Sequence, residues 1–589
     1  MPNRKKRRSQ LARLTSKEIP PDLLLRWGTR LCVASTLFVQ AQAQVDRSWF
    51  DVSFFKDLDQ LLPSFLDPDI HAHENPALDR CSFELIEDVE ERPARNYLVL
   101  VIDSWRHDYA PPNEDSEATM PFLSGLLERG EVSCLTEAYA SGSWTRPSTV
   151  SLISGVLPYR HRFGVSGLRT IGPNYDLGSL GPVHKRGHLP AGLTTAEQLA
   201  SLRDYRTLLV SSNYIPAKHG QARFDTSTEV AVINDQGAPV IDKFFEQLDS
   251  GEGSFYAHLH FNVAHFPRVG RTYDGRFGDL EAIERVTQTS RTSLGNFGQA
   301  PIILDEAATH TNTRYRYSNL PDSHFDEVRE GVTILYRWTL HNADEAIRGL
   351  FEGLEQRGML NDTTVFITSD HGESFYDTQQ LQERLHLIMT GPGIDHGQVV
   401  YDELTHVPLC VHHPNLPAGF DGRVAQSVDI PTTILSDAGV AFTGLDGTDL
   451  FVPATQWPAL RLVLSESSTT NFRKLALGGM TEDGVMRRVF LSPYEPNADQ
   501  LSEVYRGLEP SWIYPWPNAR SCMVQVDHGE LTPCTEDDLH RLDDDLRDHF
   551  PGHPFSTALE RVLTEPEQRR LERGRSIVCV YSDDPACSP

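Results

Sequence analysis

Tyr97-Leu98-Val99-Leu100-Val101-Ile102, followed at once by Asp103, decides the fold. The run is continuously apolar rather than alternating, so a strand built from it must be covered on both faces, which is the situation of a parallel sheet between helices. Working outward, the same kind of segment recurs at 206–211, 254–261 and 363–368. Between these lie stretches with helical spacing of apolar residues, at 120–129, 195–203, 239–248 and 326–357. Strands alternating with helices imply right-handed crossovers and a mostly parallel sheet, hence an α/β fold.

Around this frame the chain is organised unevenly. Residues 46–94 mix aromatics, prolines and acids and read as an extension; 269–322 is a Thr-, Arg- and Asn-rich insertion into the domain expected at 95–450. Residues 451–589 read as a small C-terminal α+β subdomain and acidic tail, with helices expected at 536–549 and 556–575. Residues 1–45 open with Arg4-Lys5-Lys6-Arg7-Arg8 and contain the apolar stretch 31–39 before Ala41-Gln42-Ala43. That order is similar to a signal peptide, but Arg26 and Arg30 interrupt it, and a basic tail followed by an amphipathic helix fits as well. Of the eight cysteines, Cys522 with Cys534 and Cys579 with Cys587 form close pairs that an oxidising compartment would bridge, while a reducing one would leave all as thiols. The compartment stays open between cytoplasm and export.

With 54 basic against 82 acidic residues the formal charge is -28, a field that repels nucleic acid and anionic lipid. The mean hydropathy is -0.38, and no apolar run approaches the length of an integral membrane segment. An anionic substrate would therefore have to meet a locally reversed field, supplied by a cation, Arg or His.

In open α/β sheets ligands bind beyond the carboxyl ends of the strands. Asp103 directly follows one strand, and Asp370-His371 follows another in the same manner. A lone Asp in that place commonly caps a helix; two strand ends offering two carboxylates and an imidazole suit a divalent cation. A third element, Thr145-Arg146-Pro147-Ser148 running to Ser154-Gly155, reads as a short helix with Thr145 at its N-cap, Pro147 in the first turn and Gly155 at its end. Its free amides are a receptor for an oxyanion, and Arg146 offers a planar fork beside them.

At this point the sequence resembles the alkaline phosphatase and sulfatase superfamily. The resemblance is carried, in order, by Ile102-Asp103-Ser104-Trp105-Arg106, Thr145-Arg146-Pro147-Ser148, Asn262-Val263-Ala264-His265-Phe266-Pro267, Thr368-Ser369-Asp370-His371-Gly372-Glu373-Ser374, His396-Gly397, Tyr401-Asp402-Glu403 and Thr405-His406-Val407-Pro408-Leu409, and it runs over about 96–450. It implies a sandwich with a central, mostly parallel sheet flanked by helices. It further implies one divalent ion (manganese, zinc, magnesium or calcium) held by Asp103, Asp370, His371 and the Thr145 hydroxyl. Thr145 would be the nucleophile against an anionic ester, with His265 and His396 binding substrate oxygens or protonating the leaving group, and Arg146 binding substrate.

The chain also departs from the pattern. Sulfatases of this superfamily carry Cys or Ser where Thr145 stands, Arg at the place of Thr149 and a second Asp at that of Ser104. A threonine cannot become the formylglycine aldehyde, so the resemblance implies phosphate mono- or diester chemistry ahead of sulfate. A head-group transferase using the same intermediate, or a silent binding protein on the same fold, are the alternatives. Oligomeric state cannot be read from the sequence.

Overall fold

The computed structural model describes residues 81–86, 95–113, 116–161, 191–213, 215–216, 223–230, 237–265, 273–279, 281–282, 322–375, 377, 394–397, 399–417, 419–467, 474–481, 483–491, 522–551 and 553. The leader 1–45, nearly all of 46–94, most of 269–322, the helix expected at 556–575 and the Cys579 and Cys587 pair lie outside the described residues.

Seven strands form the central sheet: β1 (Asn96–Ile102), β2 (Ser133–Leu135), β3 (Arg206–Ser211), β4 (Thr226–Glu229), β5 (Phe255–Phe261), β6 (Thr363–Thr368) and β7 (Leu409–His412), in the spatial order β2-β7-β6-β1-β5-β3-β4. β1 lies in the middle, parallel to β6 on one side and to β5 on the other. β3 and β4 continue the parallel set, and β7 runs antiparallel between β6 and β2. The sheet is thus mostly parallel, as the apolar runs require.

Why β1 had to be central is visible in its side chains. Leu98, Leu100 and Ile102 point into a core shared with helices α1 (Pro121–Glu128), α4 (Ala238–Leu248) and α5 (Asp322–Gln356). Tyr97, Val99 and Val101 point to the other face, against α3 (Thr195–Arg203) and α6 (Asp429–Asp437), with Leu152 of α2 (Thr145–Ser154). All six are buried to within 1%. Truncating one of them, such as Leu100→Ala, leaves a cavity in a two-sided core and should cost about 2–5 kcal/mol.

A second sheet of five antiparallel strands, β8 (Leu462–Ser467), β9 (Lys474–Met480), β10 (Met486–Leu491), β11 (Cys522–Val526) and β12 (Thr532–Pro533), forms the C-terminal α+β part. One face packs on α7 (Glu536–His549), through Leu475, Leu477, Leu539 and Leu542. The opposite face places Ala476, Phe490 and Met523 against Val399, Val400, Tyr401 and Leu404 of the main body. α7 begins with a capping box in which Thr535 and Asp538 exchange side-chain and backbone hydrogen bonds.

Among the described residues, two disulfides are present. Cys522–Cys534 joins one of the pairs singled out by spacing. Cys134–Cys410 joins facing residues of β2 and β7 across a separation of 276 residues, a pairing that only strand register brings about.

Candidate metal centre and nucleophile

The parallel register of β1 with β5 and β6 brings three strand ends together, so Asp103, Asn262 and Ser369-Asp370 emerge side by side. The Asp103 amide donates to the Phe261 carbonyl at 2.8 Å, extending the ladder one step past the strand. The chain then turns sharply at Ser104, whose φ of 62° lies in the left-handed region that a residue with a β-carbon seldom adopts. Tyr336 of α5 holds this turn, its hydroxyl donating to the Ser104 carbonyl at 2.7 Å and accepting from the Arg106 amide at 2.8 Å. On the other side, Gly372 has no room for a side chain: a β-carbon there would lie 2.0 Å from the Glu403 carbonyl oxygen. The loop carrying Asp370 and His371 is therefore clamped against 401–405 and bonded through Gly372 N to Leu404 O at 2.9 Å.

Within this frame Asp103, Asp370 and His371 are fully buried, with one ligand atom of each within 4.8 Å of the others. His371 Nε2 stands 3.4 Å from Asp103 Oδ1 and 3.5 Å from Asp370 Oδ2. Its Nδ1 lies 2.7 Å from the Gly372 carbonyl, which can only accept, so Nδ1 carries a proton and Nε2 is the nitrogen turned toward the carboxylates. Asp370 Oδ2 is buried and finds no hydrogen-bond partner among the described residues. A buried carboxylate oxygen without a hydrogen bond, beside an imidazole nitrogen that can give up its proton to a cation, is a donor set that suits a divalent ion.

The charges agree. Burial alone would raise the Asp103 carboxyl, but neighbouring His265 and hydrogen bonds from His260 and His371 hold it well below the usual carboxylate range. Asp370 is raised, by burial and then by the charge of Asp103. Burial depresses His371, yet Asp370 and Asp103 outweigh it and push it up to about 9. Two carboxylates that cannot comfortably ionise together call for positive charge between them.

Thr145 reaches the same place. Its Oγ1 lies 3.3 Å from His371 Nε2, and it is 2% exposed. It is the first helical residue of α2 rather than the N-cap expected from sequence; Trp144, with φ -162° and ψ 164°, takes the cap position. The shift turns the hydroxyl from capping its own helix toward the cluster. Gly155 ends the helix with a φ of 70°, as expected. The His396 ring centre is 4.3 Å from that of His371 and 4.8 Å from that of His265, so all three imidazoles form one wall. His396 Nδ1 is held by Glu373 Oε1 at 3.2 Å. Burial pulls His265 down to about 4, with Asp103 opposing, so it is neutral at pH 7. Arg146, half-buried, lays its guanidinium over the Trp144 ring at 5.7 Å.

Three contributors escaped sequence reasoning. Asn213 donates to Asp103 Oδ2 at 2.6 Å, His260 Nε2 lies 3.2 Å from the same oxygen, and Glu373 orients His396. His260 carried a signal, being an ionisable residue within an otherwise buried strand run; Asn213 carried none. Arg106, near in sequence, is occupied elsewhere, clamped between Asp108 and Asp377 at 2.6 and 2.8 Å.

The Sulfatase family profile matches residues 95–440. Over 272 residues the chain is 26% identical to N-acetylglucosamine-6-sulfatase of Capra hircus, covering 45% of this chain and 42% of that one. Over 120 residues it is 28% identical to arylsulfatase K of Danio rerio, covering 20% of each. The matched stretches thus span less than half the length of these curated relatives. Among solved structures, phosphonate monoester hydrolase of Agrobacterium radiobacter aligns over 68% of this chain and 89% of its own, at 15% identity and a TM-score of 0.41. With more than half of its length matched by the profile and its site motifs inside the match, the chain belongs to the sulfatase family.

Proposed function

We propose that this protein is a metal-dependent hydrolase that cleaves a phosphate mono- or diester through a covalent Thr145 intermediate. The observation that carries the reading is the Thr145 hydroxyl, buried at a helix N-terminus, 3.3 Å from the carboxylate-facing nitrogen of His371 and beside two buried carboxylates. Asp103, Asp370, His371 and the Thr145 oxygen would hold one divalent ion, with manganese, zinc or magnesium favoured over calcium by the imidazole. When bound, that ion supplies the charge that lowers the pKa of the Thr145 hydroxyl and neutralises the non-bridging oxygens of the ester.

The chain's own residues do the rest. Thr145 Oγ1 forms a bond to phosphorus as the bond from phosphorus to the ester oxygen breaks in line. The amides at the start of α2 receive the developing negative charge. His396, oriented through Nδ1 by Glu373, gives the departing oxygen its proton, with His265 beside it. Water then displaces Thr145 from phosphorus and returns the hydroxyl. A threonine at this position supports phosphorus over sulfate chemistry, and the two disulfides support maturation in an oxidising compartment.

The test is to strip the protein of metal, restore manganese, zinc, magnesium or calcium singly, and measure rates on nitrophenyl phosphate, bis-nitrophenyl phosphate and nitrophenyl sulfate beside Thr145→Ala. Metal-dependent phosphate ester cleavage that Thr145→Ala abolishes is the expected result. Preference for the sulfate, or cleavage that survives the substitution, would overturn it.

A further inference from the structure

The C-terminal sheet lies beyond the residues that the family profile matches, yet it meets the main body along a seam that ends at the site. On one side of the seam, β8 runs beside the segment that delivers Thr145. Glu466 N donates to Ser141 O at 3.0 Å, Ser465 Oγ donates to Ala140 O at 2.5 Å, and Gly142 forms a parallel bridge with Glu466. Gly142 passes the tie on to α2. Its carbonyl accepts from Ser148 Oγ at 2.9 Å, and a β-carbon on it would lie 2.7 Å from Pro147 Cγ, so the first turn of α2 packs directly on this backbone. The start of the nucleophile helix is thus seated on β8.

On the other side stands Ser467, the last residue of β8 and fully buried. Its Oγ donates to the Gly397 carbonyl at 2.7 Å. Gly397 directly follows His396 and has a φ of 80°, a left-handed turn that suits glycine. Just before His396, Ile394–Asp395 pairs antiparallel with Ser374–Phe375, beside the Glu373 that holds the His396 ring. His396 is therefore anchored through its backbone before and after, and through its ring. The anchor at Gly397 comes from the same strand that seats α2. From Ser465 to Ser467 is two residues of antiparallel strand, about 6.8 Å, so β8 acts as a short spacer between the two attachments.

We infer that Ser467 is a positioning residue for His396: its hydrogen bond to Gly397 sets the imidazole at the distance from Thr145 at which it protonates the departing oxygen. In-line displacement puts the nucleophile and the leaving oxygen on opposite sides of phosphorus, so the spacing between Thr145 and the acid matters to the rate. The inference rests on the ester-cleaving reading above, and it makes the C-terminal sheet part of the catalytic unit.

The experiment uses the full chain loaded with metal and compares two esters. The leaving oxygen of phenyl phosphate needs a proton, whereas that of nitrophenyl phosphate departs readily without one. In Ser467→Ala, kcat on phenyl phosphate should fall about tenfold or more, with kcat on nitrophenyl phosphate and both KM values within about threefold, because a displaced general acid loses part of its effect. Bound metal should stay at the unaltered level. Ser467→Thr, which keeps the hydroxyl, should recover much of the lost rate. Ser465→Ala, which loosens the nucleophile side of the spacer, should slow the two esters alike. Equal losses on both esters in a folded Ser467→Ala, or none on phenyl phosphate, would overturn the inference, as would equal losses in folded Ala and Thr variants. A readout free of turnover is hydrogen exchange in the peptide carrying His396 and Gly397. Exchange should quicken in Ser467→Ala and not in Ser465→Ala, and unchanged protection in Ser467→Ala would refute the assignment. If the unaltered protein cleaves no ester, the hydrolase reading fails, and the exchange measurement alone decides whether Ser467 holds His396 in place.

Discussion

Among the described residues, two clusters gather histidines and carboxylates closely enough to hold an ion, and they are built to opposite ends. One is the Asp103, Asp370 and His371 cluster; the other groups Glu137, His406 and His528. In the second, His528 uses both ring nitrogens, Nδ1 on Asp402 and Nε2 on Glu137, each at 2.9 Å. These hydrogen bonds push His528 up to about 10, so a proton already supplies the positive charge. His406 gives its Nε2 to the Thr136 carbonyl at 2.9 Å and lies nearly parallel to His528, with ring planes 10° apart at 4.8 Å. Ring nitrogens in two stacked parallel planes cannot both aim their in-plane lone pairs at one ion. In the first cluster, by contrast, Asp370 Oδ2 has no hydrogen bond among the described residues, and His371 turns Nε2 toward it with Nδ1 alone spent on the backbone. Proximity is common to both; unspent donor capacity belongs to the first alone.

The sharpest way to break this comparison is at the proposed nucleophile. Thr145→Ala should lower turnover of a phosphate ester by roughly 10⁴ or more, as when a covalent nucleophile is removed, while bound metal stays near the unaltered level. Both quantities are read by steady-state rates and metal analysis of the same sample.

Next comes the ligand set. Asp370→Asn should weaken metal affinity by at least ~100-fold, more than the loss of an outer partner brings, whereas His528→Ala should leave metal content unchanged. A metal lost from the His528 variant and kept by the Asp370 variant would reverse the assignment of the two clusters.

Asn213→Ala sharpens the picture at smaller scale. Removing the amide that donates to Asp103 Oδ2 should cost about 10–100-fold in metal affinity or activity, since an outer-shell partner fixes the ligand's orientation. Titration with manganese followed by rate measurement distinguishes this from no effect.

The smallest effect is on stability. His528 joins β11 and its following turn to Glu137 and Asp402, and His528→Ala should cost about 1–2 kcal/mol at neutral pH, reduced by solvent because the side chain is 33% exposed. Its folded pKa, about 10, exceeds the unfolded value of roughly 6.5. The contribution is therefore complete below about pH 6.5 and is lost as pH rises through about 10. Chemical denaturation of both proteins at several pH values should show the difference closing on the alkaline side.

Much of the fold was legible because long buried runs leave little choice. Residues 206–211, 363–368, 195–203 and 536–549 form the elements expected of them, and the long helix begins at Asp322 instead of 326. The expectations contain no strand at 133–135, 226–229 or 409–412, since three or four residues carry too little periodicity to be told from loop. At the site, Asp103, Asp370 and His371 were visible as polar residues ending apolar runs. Thr145 was visible as a helix start, displaced by one position because extended backbone at Trp144 has no signature in its side chain.

The sequence by itself determined that a doubly covered parallel sheet would form and that two of its strands would end in carboxylates, because burial of apolar runs and strand-end chemistry are local properties. Only the tertiary structure decided the company those carboxylates keep: Asn213 from β3's end and His260 from β5. It also separated two similar-looking histidine clusters: one spends both His528 nitrogens on carboxylates, and the other leaves Asp370 Oδ2 without a hydrogen bond among the described residues. Register and hydrogen-bond partnership are set by segments hundreds of residues apart, and no local pattern records which of them will meet.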